Sequence, residues 1–182
     1  MGYAGGKKRN PTYYDLGDHS ESFQVDFDPK HISFENLLDQ FWKYPNSCER
    51  SGSVQYRSII FYGDEEQKKV ALASRERESK KRGYGIETPI LPLESFTLAE
   101  DYHQKFFLRQ ERELAEEMTA IYPNLEDFTS STAAMKLNAY FGGHGSRKIL
   151  EREIDGFGLS PVGMARLREF VGNFADFIGE GR

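Results

Sequence analysis

Glu21 could donate a proton to a polar oxygen, and Tyr13 and Tyr56 could donate hydrogen bonds to it, although none of the 10 tyrosines stands out by its surroundings in the sequence. Glu21 lies in the segment HSES, next to His19 and just ahead of an alternating apolar segment that starts at Phe23. A carboxyl group at the entrance of a strand can be partly buried, and burial lets it keep its proton to higher pH. Tyr13 and Tyr56 can donate hydrogen bonds from their hydroxyl groups. The alternative is a solvated loop glutamate and two tyrosines that pack at the surface, as most tyrosines do.

Two further side chains could act as a nucleophile or a base. Cys48 is the one cysteine of the sequence, and Arg50 nearby would favour its thiolate form. His103, in the segment DYHQ, could serve as a base or a ligand. The alternatives are an incidental thiol and a helix-end histidine bonded to the backbone. The 4 histidines are dispersed without metal-ligand spacing, so the sequence predicts neither a metal site nor a bound cofactor.

Composition narrows the classes of function that the chain could have. A formal net charge of −5 over 182 residues argues against broad phosphate binding, and therefore against a nucleic-acid partner. No apolar run approaches the roughly 20 residues that cross a bilayer, so no membrane partner is expected. A lone cysteine favours a reducing compartment, most simply the cytoplasm. A targeting peptide upstream is compatible with the same observations.

The elements that must position these side chains are strands and helices in alternation. Strands are predicted in three places, at Phe23–Phe27, Gln55–Tyr62 and Thr88–Leu93. Helices are predicted between them, over Phe34–Tyr44 after the N-cap Ser33 and over Glu65–Arg82 after the N-cap Asp64. The glycine-rich segment Gly2–Gly17 is predicted to be mostly loop.

This order predicts an α+β fold with a ferredoxin-like sheet and helices packed on it. A first strand and helix would complete the sheet, and they are expected upstream of Met1. From about Phe106 the pattern is helical only, with helices predicted at Phe107–Tyr122, Thr129–Phe141 and Pro161–Ile178. We therefore expect two domains, a sheet domain over residues 1–110 and a helical C-terminal extension over residues 111–182.

Four short segments follow one another in a specific order. They read Asn10-Pro11-Thr12-Tyr13, Asp18-His19-Ser20-Glu21, Gln55-Tyr56-Arg57-Ser58 and Ala99-Glu100-Asp101-Tyr102-His103-Gln104, after an initial GYAGG. In their order and approximate spacing, from Gly2 to about Gln110, they resemble the peptide methionine sulfoxide reductases of the A type. Each segment alone is a weak signal, whereas four in order are a strong one.

The resemblance implies a reductase that converts methionine-S-sulfoxide, free or in proteins, to methionine. Its electrons would come from thioredoxin or another thiol, as in protein repair under oxidative stress. In the family, the glutamate that matches Glu21 protonates the sulfoxide oxygen, and the tyrosines that match Tyr13 and Tyr56 hold that oxygen. A cysteine thiolate attacks the sulfur and becomes a sulfenic acid, which thiols then reduce.

The chain departs from the family pattern at the nucleophile. The family carries it in a GCFWG motif ahead of the GYAGG-like segment, and this sequence has no such motif. The Phe and Trp that grip the substrate methyl group and the recycling cysteines are also missing, and Ser51 sits nearest the place of a substrate-binding aspartate. We expect an incomplete chain whose nucleophile, a cysteine or a selenocysteine, is encoded upstream, with Cys48 poorly placed to substitute. The alternative is a non-catalytic binding or interaction protein derived from the same fold.

Overall fold

The computed structural model describes residues 1–49 and 51–179, and over these residues the α+β class and the helical C-terminal region are confirmed. The chain divides into two compact units, Met1–Glu100 and Asp101–Arg182. Among the described residues, two hydrophobic clusters lie in the first unit and one lies in the second. The division at residues 110 and 111 stays a prediction, since compactness and sequence pattern measure different properties.

Short strands of the first unit form two small sheets. Their bounds are β1 (Gly2–Ala4), β2 (Ser20–Ser22), β3 (Ile60–Tyr62), β4 (Ile90–Pro92) and β5 (Phe96–Leu98). The first sheet is antiparallel in the order β2-β1-β5, and Tyr3 at its centre lies opposite Glu21 on one side and Thr97 on the other. The second sheet pairs β3 with β4 in parallel, with Ile60 opposite Ile90.

The central strand β1 lies in the segment that was predicted to be mostly loop, so that prediction is wrong at Gly2–Ala4. Its glycines make the close packing possible. A Cβ atom at Gly2 would lie 2.3 Å from Cζ of Phe96, so no other residue fits there without a shift. Gly5 ends the strand with a φ of +81°, and its missing side chain leaves room for the ring of Phe61.

The strand predicted at Phe23–Phe27 is wrong in position. Sheet pairing covers Ser20–Ser22 instead, because the partner strand β1 spans the matching three residues. The side chains of Phe23 and Val25 are 70% and 47% exposed, so the alternation of apolar and polar residues does not mark a buried face here. Small hydroxyl side chains carry the strand, and Ser20 is fully buried.

Two helices pack together in the first unit, at the predicted places. They are α1 (Phe34–Phe41) and α2 (Glu65–Arg82). Ser33 caps α1 by accepting a hydrogen bond from the amide of Asn36, and Asp64 caps α2 by accepting from the amide of Gln67. Their apolar faces meet in a core formed by Leu38, Trp42, Cys48, Ile60, Ala71 and Ile86.

The second unit is helical throughout its described elements. Its helices are α3 (Phe106–Gln110), α4 (Arg112–Ile121), α5 (Leu125–Ser130), α6 (Thr132–Phe141), α7 (Arg147–Glu153) and α8 (Pro161–Gly179). Five of these helices each contribute a fully buried leucine to its core, namely Leu108, Leu114, Leu137, Leu150 and Leu167. This unit therefore has a hydrophobic core of its own.

The helices of the second unit are shorter and more numerous than the sequence predicted. The helix predicted over Phe107–Tyr122 is interrupted at Glu111, whose φ of −95° and ψ of 77° are not helical. Arg166 donates hydrogen bonds to Glu111 at 3.1 Å and to Glu113 at 2.5 Å, so a tertiary contact lies at the interruption. Helix α7 had no counterpart in the prediction, although Ser146 is a regular N-cap for it.

Candidate functional site

The proposed acid, Glu21, is held in place by both its backbone and its side chain. It lies in the middle of β2, directly opposite Tyr3. Its amide donates a hydrogen bond of 2.9 Å to the carbonyl of Gln55, and the Gln55 side-chain amide donates one of 2.8 Å to Oε1 of Glu21. These two bonds fix the carboxyl group beside the residue that precedes Tyr56.

The two phenols predicted from the sequence lie together. Their hydroxyl oxygens are 3.4 Å apart, and Tyr56 is 60% exposed. The pKa of Tyr56 is raised above its usual value, first by the hydrogen bond with Tyr13 and further by partial desolvation and by the negative charge of Glu21. The structure therefore brings Tyr13, Tyr56 and Glu21 into one cluster, although they are distant in sequence.

A second set of hydrogen bonds fastens the segment QYRS to β2. The Nε atom of Arg57 donates to the hydroxyl oxygen of Ser20 at 2.8 Å, and that hydroxyl donates to the carbonyl of Val54 at 2.8 Å. Together with the bonds between Gln55 and Glu21, these contacts set the position of Tyr56 from both neighbouring residues. The motif QYRS thus works as a positioning segment around the phenol.

Asp18 and His19, which precede β2, hold the glycine-rich segment that follows β1. The carboxylate of Asp18 accepts hydrogen bonds from the amides of Lys7 at 2.8 Å and Lys8 at 3.2 Å, and these bonds lower its pKa. The amide of Gly6 donates to Nδ1 of the buried His19 at 3.2 Å. Nε2 therefore carries the ring proton and donates to the carbonyl of Lys8 at 2.8 Å.

Glu100, in the segment AEDYHQ, makes contacts near the site that are not evident from the sequence. Its carboxylate accepts a hydrogen bond of 2.5 Å from the hydroxyl of Tyr3 and one of 3.0 Å from the backbone amide of Tyr13. No sequence signal indicates these contacts, because the partners are separated by 97 and 87 positions. A carboxylate near the site thus binds the backbone of one of the proposed oxygen-holding residues.

Cys48 and His103 lie in other surroundings. Cys48 is 3% exposed in a short 3₁₀ turn, Pro45–Cys48, and its sulfur is 3.6 Å from the hydroxyl oxygen of Ser47. Arg50, the expected activator of its thiol, lies outside the described residues. His103 belongs to the second unit, where its ring centroid is 4.2 Å from that of Tyr102.

The described part of the chain has neither a metal-binding cluster nor a membrane-spanning helix. Over residues 1–49 and 51–179, no group of three or more His, Cys, Asp and Glu side chains is arranged to hold a metal ion. Within the same part of the chain, none of the helices combines the length and the apolar character needed to cross a bilayer. What remains is one carboxylic acid with two phenols, an arrangement that can protonate and hydrogen-bond a single polar oxygen.

Comparison with protein families identifies the chain from both of its parts. The sequence model of the family described as "Peptide methionine sulfoxide reductase" matches residues 1–137. A second model, described as "Selenoprotein methionine sulfoxide reductase A, helical domain", matches residues 123–172. The class defined by the fold and the site is thus a reductase-like α+β domain followed by helices.

Curated relatives carry the same name. A peptide methionine sulfoxide reductase of Drosophila melanogaster is 41% identical over 164 residues, which are 89% of this chain and 65% of that protein. One of Methanosarcina acetivorans is 48% identical over 59% of this chain and 63% of its own length. Peptide methionine sulfoxide reductase A5 of Arabidopsis thaliana is 41% identical over 76% of this chain and 56% of its own length.

The chain therefore belongs to the peptide methionine sulfoxide reductase family. The family membership expected from the four ordered segments is confirmed. The aligned part spans between 56% and 65% of the length of these three relatives, so this chain corresponds to a part of each of them.

Proposed function

We propose that this chain supplies the oxygen-binding side of a peptide-methionine (S)-S-oxide reductase site. Glu21 donates a proton to the sulfoxide oxygen, and the hydroxyl groups of Tyr13 and Tyr56 donate hydrogen bonds to it. The observation that supports this assignment is the 3.4 Å approach of the two hydroxyl oxygens, with Glu21 bonded to the residue before Tyr56. A carboxylic acid held close to a pair of hydroxyl donors matches the needs of a sulfoxide oxygen.

The reaction requires those donors because negative charge builds up on oxygen as the sulfur is attacked. A thiolate attacks the sulfoxide sulfur, and the oxygen takes up a proton from Glu21. The S–O bond of the substrate breaks, the substrate leaves as a thioether, and the oxygen is transferred to the attacking sulfur, which becomes a sulfenic acid. Two external thiols then reduce the sulfenic acid to a thiol and water, and they are themselves oxidised to a disulfide. Preorganised donors stabilise the charge on oxygen without reorganising during the step.

In this proposal, Cys48 does not supply the attacking thiolate. Its side chain is buried in the core between α1 and α2, in contact with apolar neighbours such as Leu38 and Trp42. A thiol in such surroundings is typical of a structural cysteine, since reactive ones are partly exposed. By the family resemblance, the thiolate belongs to the GCFWG motif.

The first prediction tests the acid. In a fusion that places the family's GCFWG-bearing segment ahead of Gly2, Glu21→Gln should lower turnover of methionine-S-sulfoxide with dithiothreitol about 100-fold, the scale expected for loss of a general acid. The matched control is Glu66→Gln, an exposed glutamate in the first turn of α2. It should change turnover by less than about twofold, as surface substitutions usually do. Equal turnover in the parent fusion and in Glu21→Gln would contradict the assignment.

We also propose thioredoxin or another external dithiol as the reductant, and a reducing compartment such as the cytoplasm as the place of action. Cys48 is the one cysteine in the sequence, and its burial leaves it badly placed to resolve a sulfenic acid. Discharge by external thiols is therefore the route that the sequence supports. Sulfoxide-dependent NADPH consumption by the fusion, coupled to thioredoxin and its reductase, measures this step directly.

A further inference from the structure

Glu100 connects the first sheet to the turn that carries Tyr13. It follows strand β5 by two residues, and the sheet pairing continues toward it, since the amide of Ala99 donates to the carbonyl of Met1 at 3.1 Å. Its carboxylate then accepts from the hydroxyl of Tyr3, which is 2% exposed at the centre of β1. Both contacts place the carboxyl group firmly on the sheet.

The other carboxylate oxygen reaches the turn. Thr12 and Asp15 close this turn with two backbone hydrogen bonds of 3.0 and 3.3 Å, and Tyr13 lies within it. Oε1 of Glu100 accepts from the amide of Tyr13 at 3.0 Å, which ties the turn to the sheet at the residue whose hydroxyl approaches Tyr56. A shift of that amide would move the Tyr13 ring with it.

We propose that Glu100 is a positioning residue, whose carboxylate holds the Tyr13 backbone so that the Tyr13 hydroxyl meets that of Tyr56. The consequence for turnover rests on the proposed function, in which both hydroxyls bind the sulfoxide oxygen. The positioning itself does not, because it follows from contacts within the first unit.

A carboxylate suits this position better than an amide of the same shape. The Tyr3 hydroxyl and the Tyr13 amide each donate to Glu100, and an ionised carboxylate offers two oxygen acceptors for such donors. Glutamine would keep one oxygen and would direct an NH₂ group at the other donor. Charge-assisted bonds are also stronger than neutral ones. Glu100→Gln should therefore weaken the hold on the Tyr13 amide while preserving the volume of the side chain, and Glu100→Ala should remove both acceptor oxygens.

The second prediction concerns the pKa of Tyr56, measured in the chain of 182 residues without any fusion. Ring-labelled ¹³C-tyrosine NMR follows its ionisation, with its signal assigned through Tyr56→Phe. Contact with Tyr13 is the first cause of the raised pKa of Tyr56, so Glu100→Gln should bring that pKa back toward the ordinary tyrosine value. Glu78→Gln is the matched control, since it removes a carboxylate that accepts from Arg82 at 2.7 Å on α2. It should leave the titration of Tyr56 unchanged.

A second variant separates loss of this bond from general loosening of the sheet. Tyr3→Phe removes the hydroxyl that donates to Glu100 and keeps the bond between Glu100 and the Tyr13 amide, so the pKa of Tyr56 should stay raised. A Tyr56 pKa that stays raised in Glu100→Ala, which removes the Glu100 acceptor altogether, would overturn the proposal. Early titration in Tyr3→Phe to the same extent as in Glu100→Gln would overturn it too, because the effect would then come from sheet packing.

Kinetics of the GCFWG fusion complete the test. Glu100→Gln should lower kcat by up to about 10-fold, and by no more than Tyr13→Phe does, because a displaced hydroxyl cannot cost more than a missing one, whereas Glu78→Gln should stay near the parent rate. An early Tyr56 titration in Glu100→Gln, together with a parent fusion that does not reduce sulfoxide, would leave the positioning role supported and the proposed function refuted.

Discussion

At the scale of single residues, the pair of hydroxyls is the feature with the most direct chemical consequence. The raised pKa of Tyr56 favours its neutral form, and the neutral hydroxyl is the form that donates a hydrogen bond. The stabilising effect of this bond is complete below the ordinary tyrosine value and is lost as the pH rises through the raised value. The site therefore keeps its donor throughout the neutral and mildly alkaline range.

The third prediction concerns Tyr13→Phe. Removing this hydroxyl removes the main cause of the raised pKa, so the pKa of Tyr56 should fall toward its ordinary value, while desolvation and the charge of Glu21 keep part of the rise. In the GCFWG fusion, the alkaline limb of kcat should move to lower pH, and the rate should fall less than in Glu21→Gln because one phenol remains. The measurement is a pH profile of turnover beside the NMR titration of Tyr56.

Tyr14→Phe is the natural control for this change. Tyr14 follows Tyr13, is 90% exposed and packs against its ring edge-on with centroids 5.2 Å apart. Its hydroxyl has no place in the proposed site, so the pH profile should match that of the parent. A Tyr13→Phe profile that also matches the parent would show that the two hydroxyls do not influence each other.

For single residues, the sequence predicted the side chains that could carry out chemistry but not the residues that hold them in position. Glu21, Tyr13 and Tyr56 are predicted by their motifs, and the structure brings the three together. Glu100 and His19 act through backbone groups of residues in other segments. Such contacts depend on how the chain folds back on itself, and neither spacing nor residue type in one segment reveals them.

At the scale of elements, the segment Gly2–Gly6 shows why a glycine-rich motif can be structural. It forms the central strand β1 and the sharp turn that follows it. Gly5, in that turn, has a positive φ angle and packs against the ring of Phe61. Gly83, which ends α2, has nearly the same positive φ angle, +78° against +81°. Nothing lies within 4 Å of a Cβ placed at Gly83, whereas one placed at Gly5 would be 2.6 Å from the Phe61 ring.

The fourth prediction uses this matched pair. Gly83→Ala should cost only the strain of the left-handed conformation, about 1–2 kcal/mol in the free energy of unfolding. Gly5→Ala adds a steric clash in a packed region and should cost distinctly more, with a further 1–3 kcal/mol or so for overpacking. Denaturant unfolding of both variants measures the difference. Equal losses would mean that the loop at Gly5 yields without cost.

The elements also show which sequence signals can be trusted. Helix α2 has the bounds that its N-cap Asp64 and C-terminal Gly83 predicted, because capping acts locally. Strand β2 does not begin at Phe23, because sheet pairing is decided by the partner strand and not by local alternation. The interruption of the helix at Glu111 likewise coincides with a tertiary contact, the hydrogen bond from Arg166, which local sequence does not reveal.

At the scale of the whole molecule, the two compact units have separate cores. The first contains the sole tryptophan, Trp42, buried between α1 and α2 with Leu38 beside it. The second is built on fully buried leucines such as Leu137 and is helical, so it contributes strongly to the far-UV circular dichroism. Two spectroscopic probes can therefore report on the two units within the intact chain.

The fifth prediction is that each core can be weakened on its own. Leu38→Ala and Leu137→Ala remove the same buried atoms, and each should cost about 2–5 kcal/mol in its own unit. Leu38→Ala should shift the thermal transition seen by Trp42 fluorescence, while Leu137→Ala should mainly shift the transition seen by circular dichroism at 222 nm. Units with independent cores unfold independently unless the interface between them is large and apolar. If either variant moved both transitions together by the same amount, the chain would unfold as one cooperative body, and the helical region would be a required part of the reductase-like fold rather than an extension of it.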